Sequence, residues 1–298
     1  MRLILLFNII AHISASEYVP GTPGAPWSFE EVLIVKAKLY STFSQFGGFD
    51  ALKQIYNGKS PATFSDVPDT AKMLRLAFHD CLRYTDGSGG CDGCLNWEGM
   101  GSRVAFKPYE FVYENVGKTN NNGLNFTVEL LEHIYTDATF PKNMAPNLTM
   151  SLKQSGKSRA DLWAFAAIAA VEYSIETNEM VCDGTYNDNP GVQCNQQKGQ
   201  DNCKAKISRP IQFKTGRKDC TEFGDKPFKA TKHESHPNAV GNGQMTAEFF
   251  QKDFGFTGRE TVAIFGAHTL GRFHHDVSLF RYVWTAYGWH MFNNDYYK

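Results

Sequence analysis

Apolar positions recur along most of this chain at the three- and four-residue spacing of a helix, and polar residues mark where each helix starts. Ser28 followed by Glu31 forms a capping box ahead of Val32, Leu33, Val35, Leu39 and Phe43, which predicts an amphipathic helix. Asp69 is placed to cap a second helix carrying Arg75-Leu76-Ala77-Phe78-His79-Asp80-Cys81. The turn chemistry of Thr85-Asp86-Gly87-Ser88-Gly89-Gly90 predicts that it ends near Tyr84. A third follows Asn120-Asn121-Asn122-Gly123, with Leu124, Val128, Leu131 and Tyr135 on one face. Ser158 and Asp161 open a fourth, apolar on nearly all sides as far as Glu172, which predicts a buried central helix. From 178 to about 244 the periodicity disappears and Gly, Asn, Pro, Lys and four cysteines dominate, predicting an irregular region tied by disulfides. Helical spacing returns over 246–254, and again where a second capping box, Thr257 with Glu260, leads into Val262-Ala263-Ile264-Phe265-Gly266-Ala267-His268-Thr269-Leu270-Gly271. No internal repeat or low-complexity tract interrupts this order.

Composition narrows the partners. At 298 residues the chain can bury a large core. Lys plus Arg (30) nearly balances Asp plus Glu (31), and no basic run or stripe points to nucleic acid or to an anionic membrane surface. Residues 1–16, an apolar run behind Met1-Arg2 that ends in small residues, read as a secretory signal peptide, with a Pro/Gly linker over 17–27. The apolar run is too short to span a bilayer comfortably. The sequons at Asn125 and Asn147 accord with secretion. Seven cysteines then belong to an oxidising compartment, where pairing is expected and an odd count leaves one thiol over. Those cysteines could also hold zinc, as could His233 and His236, but secretion favours disulfides and the two histidines lack an obvious third ligand.

The stretch around His79 carries the sharpest chemistry. At helical spacing Arg75, Phe78 and His79 stand at i, i+3 and i+4, so a permanent cation and a titratable base share one wall. Cleaving a peroxide O–O bond needs a base to carry a proton from one oxygen to the other, and positive charge where the departing oxygen becomes negative. Alone, the same spacing also describes an ordinary surface helix.

Arg-Leu-x-Phe-His-Asp-Cys at 75–81 and Gly-Ala-His-Thr-Leu-Gly-Arg at 266–272, with Asp161-Leu162 to Glu172 between them, resemble the plant, fungal and bacterial haem peroxidase superfamily. The resemblance implies an all-α, two-lobed fold over 28–298, with haem b held between a distal and a proximal helix. It assigns Arg75 and His79 as the distal pair, Phe78 as packing over the porphyrin, and His268 as the axial ligand of the haem iron. Asn121 matches the residue that accepts a hydrogen bond from the distal imidazole. Phe78, Asp80 and the Cys81 and Cys91 pair resemble the secretory branches. Asn-Asn-Gly-Leu and Trp284, the position of a proximal tryptophan, resemble the ascorbate and cytochrome c branch. Val277 stands where ascorbate-oxidising members carry a basic residue, which argues against ascorbate as donor. Asp80 and Asp92 resemble ligands of a distal calcium, with Cys94 where a serine is expected. Thr269 and Thr285 match ligands of a second cation, with Asn293 in place of an Asp. The carboxylate expected to accept from the axial imidazole lies beyond the thirty residues that follow His268, so the chain reads as truncated, with Asp295 as a substitute. The implied activity is that of a secreted, monomeric haem peroxidase, reducing hydrogen peroxide at the expense of small one-electron donors. The rival is a secreted scaffold of the same fold that is catalytically silent.

Overall fold

Ser28 and Glu31 do cap the first helix: the Glu31 amide donates to Ser28 Oγ at 3.2 Å and the Ser28 amide to Glu31 Oε2 at 2.6 Å. That helix, α1, runs Phe29–Ser44 and buries Ile34, Val35, Leu39 and Phe43. A computed structural model describes residues 18–44, 68–87, 89–95, 121, 123–137, 150–183, 209–220, 237–238, 241–272, 284–285 and 291–297. The remaining helices are α2 (Thr70–Cys81), α3 (Asn125–Thr136), α4 (Arg159–Asp183), α5 (Gly243–Phe254) and α6 (Gly258–Phe265). Two 3₁₀ turns follow, Gly266–Thr269 and Asp295–Tyr297. Among the described residues there is no strand, only the isolated bridges Pro23 to Lys218 and Arg83 to Gly89, so the fold is all-α. Nor is any described helix long and apolar enough to cross a membrane.

The centre is α4, against which α1, α2 and α3 all pack. Its small residues Ala160, Ala166, Ala169 and Ala170 are fully buried, so neighbouring helices can close on it, while Trp163 and Leu162 fill the space between. Met73 and Leu76 of α2, Leu124 just before α3 and Leu131 on it reach the same core. Each such side chain contributes roughly 1.5–3 kcal/mol of burial.

Three boundaries differ from the sequence pattern. The second helix stops at Cys81, not near Tyr84, because Leu82 turns to extended backbone (ψ 122°) and accepts from the Gly90 amide at 2.8 Å. The Cys81–Cys91 disulfide closes that turn. The central helix continues past Glu172 to Asp183. Its added turns pack Tyr173 against Tyr40 and Phe43, with ring centroids 5.1 and 5.4 Å apart, and present Glu176 and Glu179 to Arg209 at 2.7 and 2.5 Å. Tertiary contacts there hold a helix whose local sequence has turned polar. Finally, the described part of the Pro/Gly linker is knitted into the domain. Tyr18 is buried and its hydroxyl accepts from the Asp219 amide, while the amides of Gly21 and Gly24 donate to the carbonyls of Asp219 and Arg217.

A clasp at the start of α4 explains that attachment. Asp219 accepts from the Arg159 and Ala160 amides at 2.9 and 2.8 Å, two of the donors a helix N-terminus leaves open. Asp161, fully buried, accepts in return from the amides of Gly216 and Arg217 and from the Arg217 guanidinium. The Cys94–Cys220 disulfide fastens this segment beside α2, where the Asp92 and Cys94 amides donate to Asp80 Oδ1. Cys182 is also disulfide-bonded. The described cysteines are therefore bridged rather than gathered on zinc. His233 and His236, the signal-peptide region 1–16 and the sequon at Asn147 lie outside the described residues.

Candidate active site

Asp69 starts α2 by accepting from the Lys72 amide at 2.9 Å, and the buried Met73, Leu76, Ala77 and Asp80 fix which way the helix faces. The opposite face then carries Arg75, Phe78 and His79 together. All three are half-buried, and both basic groups are dehydrated. Burial brings the Arg75 guanidinium down to about 10. Burial first, and then the neighbouring Arg75 charge, bring the His79 imidazole to about 3. These side chains are therefore drawn partly out of water, and His79 stands there as a neutral base.

The tautomer of that base is set from α3. His79 Nδ1 lies 2.7 Å from Oδ1 of the buried Asn121, so Nδ1–H donates and Nε2 is left as the free lone pair. Asn121 is held in turn by its own carbonyl, which accepts from the Leu124 amide as the chain enters α3. Asn120 and Asn122 lie outside the described residues.

The second histidine sits on the 3₁₀ turn that follows α6. The predicted capping box forms, with Thr257 and Glu260 exchanging side chain to backbone bonds, and α6 then runs only to Phe265 before tightening into Gly266–Thr269. The His268 ring stacks on Trp284, centroids 4.5 Å apart and planes at 28°, with Phe265 at 5.5 Å and Tyr296 at 5.2 Å completing an aromatic frame. Burial lowers its affinity for a proton, so it too is neutral. Its Nδ1 is sealed off and accepts no hydrogen bond and donates none among the described residues. Asp295 is therefore not the substitute partner: its amide instead donates to Asn293 Oδ1. His274 and His275 lie outside the described residues.

The residues matched to cation sites are differently placed. Asp80 and Asp92 adjoin through the Asp92 amide, but the Cys94 sulfur is committed to Cys220 and offers no oxygen. Thr269 Oγ1 lies 3.1 Å from Asn293 Oδ1, and Asn293 Nδ2 donates to Asn178 Oδ1 at 3.1 Å, a neutral network tying the last described segment to α4. Thr285, next to Trp284, is buried, its hydroxyl without a hydrogen bond among the described residues. No group of three or more His, Cys, Asp or Glu suited to a metal occurs among the described residues.

The residues present fit haem. A neutral imidazole with a sealed Nδ1 has only Nε2 to give a metal, and an aromatic frame suits the apolar edge of a porphyrin. On α2 stand a dehydrated, unprotonated base and a cation, with Phe78 between solvent and core. The two walls converge, since Ala71, one turn before Arg75, meets Gly271, three residues after His268. Sequence spacing located both histidines, but it missed Tyr296 and the Ala71 contact, which only tertiary folding creates. Phe265, three residues before His268, was within reach of helical spacing.

Comparison with known proteins agrees with this geometry. The sequence profile described as "Peroxidase" matches residues 59–296. The chain is 27% identical over 228 residues to "Cytochrome c peroxidase, mitochondrial" of Candida albicans, covering 76% of this chain and 44% of that protein. It is 27% identical over 229 residues to "Putative heme-binding peroxidase" of Debaryomyces hansenii, covering 76% and 37%. The chain thus spans less than half the length of these relatives. With the profile matched over most of its length and the segments of both histidine motifs brought together at Gly271 and Ala71, the chain belongs to the peroxidase family, within the haem peroxidase superfamily.

Proposed function

We propose that the chain binds haem b between α2 and the 266–269 turn and reduces hydrogen peroxide, drawing electrons one at a time from small donors. The observation that carries this reading is the 2.7 Å bond from His79 Nδ1 to Asn121, on an imidazole kept neutral down to about pH 3. When bound, haem supplies the iron at which peroxide is reduced and from which donors are oxidised. His79 Nε2 takes the proton from one peroxide oxygen and returns it to the other, which leaves as water. The Arg75 guanidinium stabilises the negative charge that develops on that departing oxygen. His268 would hold the iron through Nε2, its ring plane fixed by Trp284 and Tyr296, and Phe78 would pack over the porphyrin.

The disulfides of the described residues support an oxidising, secretory location. A calcium at Asp80 and Asp92 would draw its other oxygens from backbone carbonyls. A second cation at Thr269 and Thr285 would meet only neutral oxygens, with Asn293 already bonded to Thr269 and Asn178. Monomeric action on small donors other than ascorbate completes the reading.

The test is spectroscopic. The purified 298-residue chain titrated with hemin should develop a Soret band that saturates at one haem per chain and shifts within seconds of adding stoichiometric peroxide. A chain that folds yet takes up no haem is the silent scaffold.

A further inference from the structure

Ala71, Arg75, Phe78 and His79 share one face of α2, at i, i+4, i+7 and i+8. At the head of that face α2 approaches the other histidine's segment. A Cβ placed on Gly271 would lie 3.0 Å from the Ala71 Cβ and 3.6 Å from Trp284 Cζ3. Gly271 also has φ +91°, backbone that side-chain-bearing residues rarely adopt. Neither neighbour can give way freely. Ala71 is anchored on α2, whose Met73 and Leu76 are wholly buried in the core, and the Trp284 ring is stacked on the His268 imidazole. A methyl group here would therefore crowd the Ala71 side chain and come into ordinary contact with the Trp284 ring.

We propose that Gly271 is a positioning residue: its missing side chain sets the spacing between the wall that carries Arg75 and His79 and the wall that carries His268, and so the width of the slot that admits haem. This rests on the haem reading above. Gly271 touches no reacting atom, and its influence runs through Ala71 to the α2 wall, while its own place three residues after His268 ties it to the other wall.

Gly216 provides the control, because it has φ +102° with nothing within 4 Å of an added Cβ. Gly216→Ala thus carries comparable backbone strain without the collision. The full chain would be prepared as wild type, Gly271→Ala, Ala71→Gly, the double variant and Gly216→Ala. Each would be titrated with hemin, its ferric absorption spectrum recorded, and its apoprotein unfolded in urea. Gly271→Ala should bind haem at least tenfold more weakly, with a ferric spectrum showing altered axial ligation, while Gly216→Ala keeps wild-type affinity and spectrum. Adding Ala71→Gly should restore most of the affinity, and in urea the two substitutions should couple, each partly offsetting the other. If wild type takes up no haem, the haem reading fails, and the urea coupling alone decides whether the contact sets the spacing of the walls. Wild-type haem affinity in Gly271→Ala overturns the inference, as does additive behaviour of the pair in urea.

Discussion

His79 and Asn121, 42 residues apart in the chain, meet at 2.7 Å, and that bond decides which nitrogen of His79 is the base. Asn121→Val removes the acceptor and leaves the tautomer free, so the reaction with peroxide should slow by roughly tenfold, the worth of one hydrogen bond. His79→Leu removes the proton carrier altogether and should slow it by roughly a hundred- to ten-thousandfold, with haem still bound. Stopped-flow absorbance with peroxide in excess measures both. Undiminished reactivity in His79→Leu would remove the distal assignment.

Because the folded His79 titrates near 3 and a free imidazole near 6.5, the unfolded chain binds the extra proton first as pH falls. Its contribution to stability is therefore complete above about pH 6.5 and is lost progressively between there and about pH 3. The same shift keeps the base unprotonated, so the peroxide rate constant should stay flat from pH 7 to pH 4. Arg75→Leu takes away a like charge that lowers His79, so its acid limb should move toward neutral pH while its plateau falls. A wild-type limb centred near pH 6 would contradict the burial of His79.

His268→Ala leaves Trp284 and Tyr296 framing an empty position, and haem should be lost or held without its axial nitrogen, visible as a displaced Soret band. His274→Ala and His275→Ala serve as comparisons. A normal spectrum in His268→Ala, together with loss in either comparison, would relocate the ligand.

Asp219→Ala takes the acceptor from the Arg159 and Ala160 amides at the N-terminus of α4 and removes one of the carboxylates paired with the largely buried Arg159 guanidinium, which keeps Glu132 and the Tyr135 ring. The cost should be about 3 kcal/mol in urea unfolding, the range for a buried charged hydrogen-bond partner. A loss below about 0.5 kcal/mol would show that the clasp closes without it.

The helices and their starts were legible because capping and amphipathic spacing are local. Ser28 with Glu31, Asp69, Ser158 with Asp161, and Thr257 with Glu260 each bond within three residues of themselves. Arg75 and His79 were legible as a pair for the same reason, since four residues of helix place them on one face. Helix ends and attachments were not. The central helix runs on to Asp183 because Tyr40, Phe43 and Arg209 wait for it, and the segment around Tyr18 joins the domain because Asp219 and Arg217 offer it partners. The sequence by itself determined that a base and a cation share one helical wall and that a second histidine closes an apolar helix. The resemblance already matches Asn121 to the acceptor of the distal imidazole, and the bond measures 2.7 Å. Tertiary structure alone decided that Cys94 pairs with Cys220 and that Gly271 lets Ala71 come close. Those contacts join residues distant in the chain, where no local spacing constrains which side chain meets which, and the packing of α2 and α3 on α4 selects the partner.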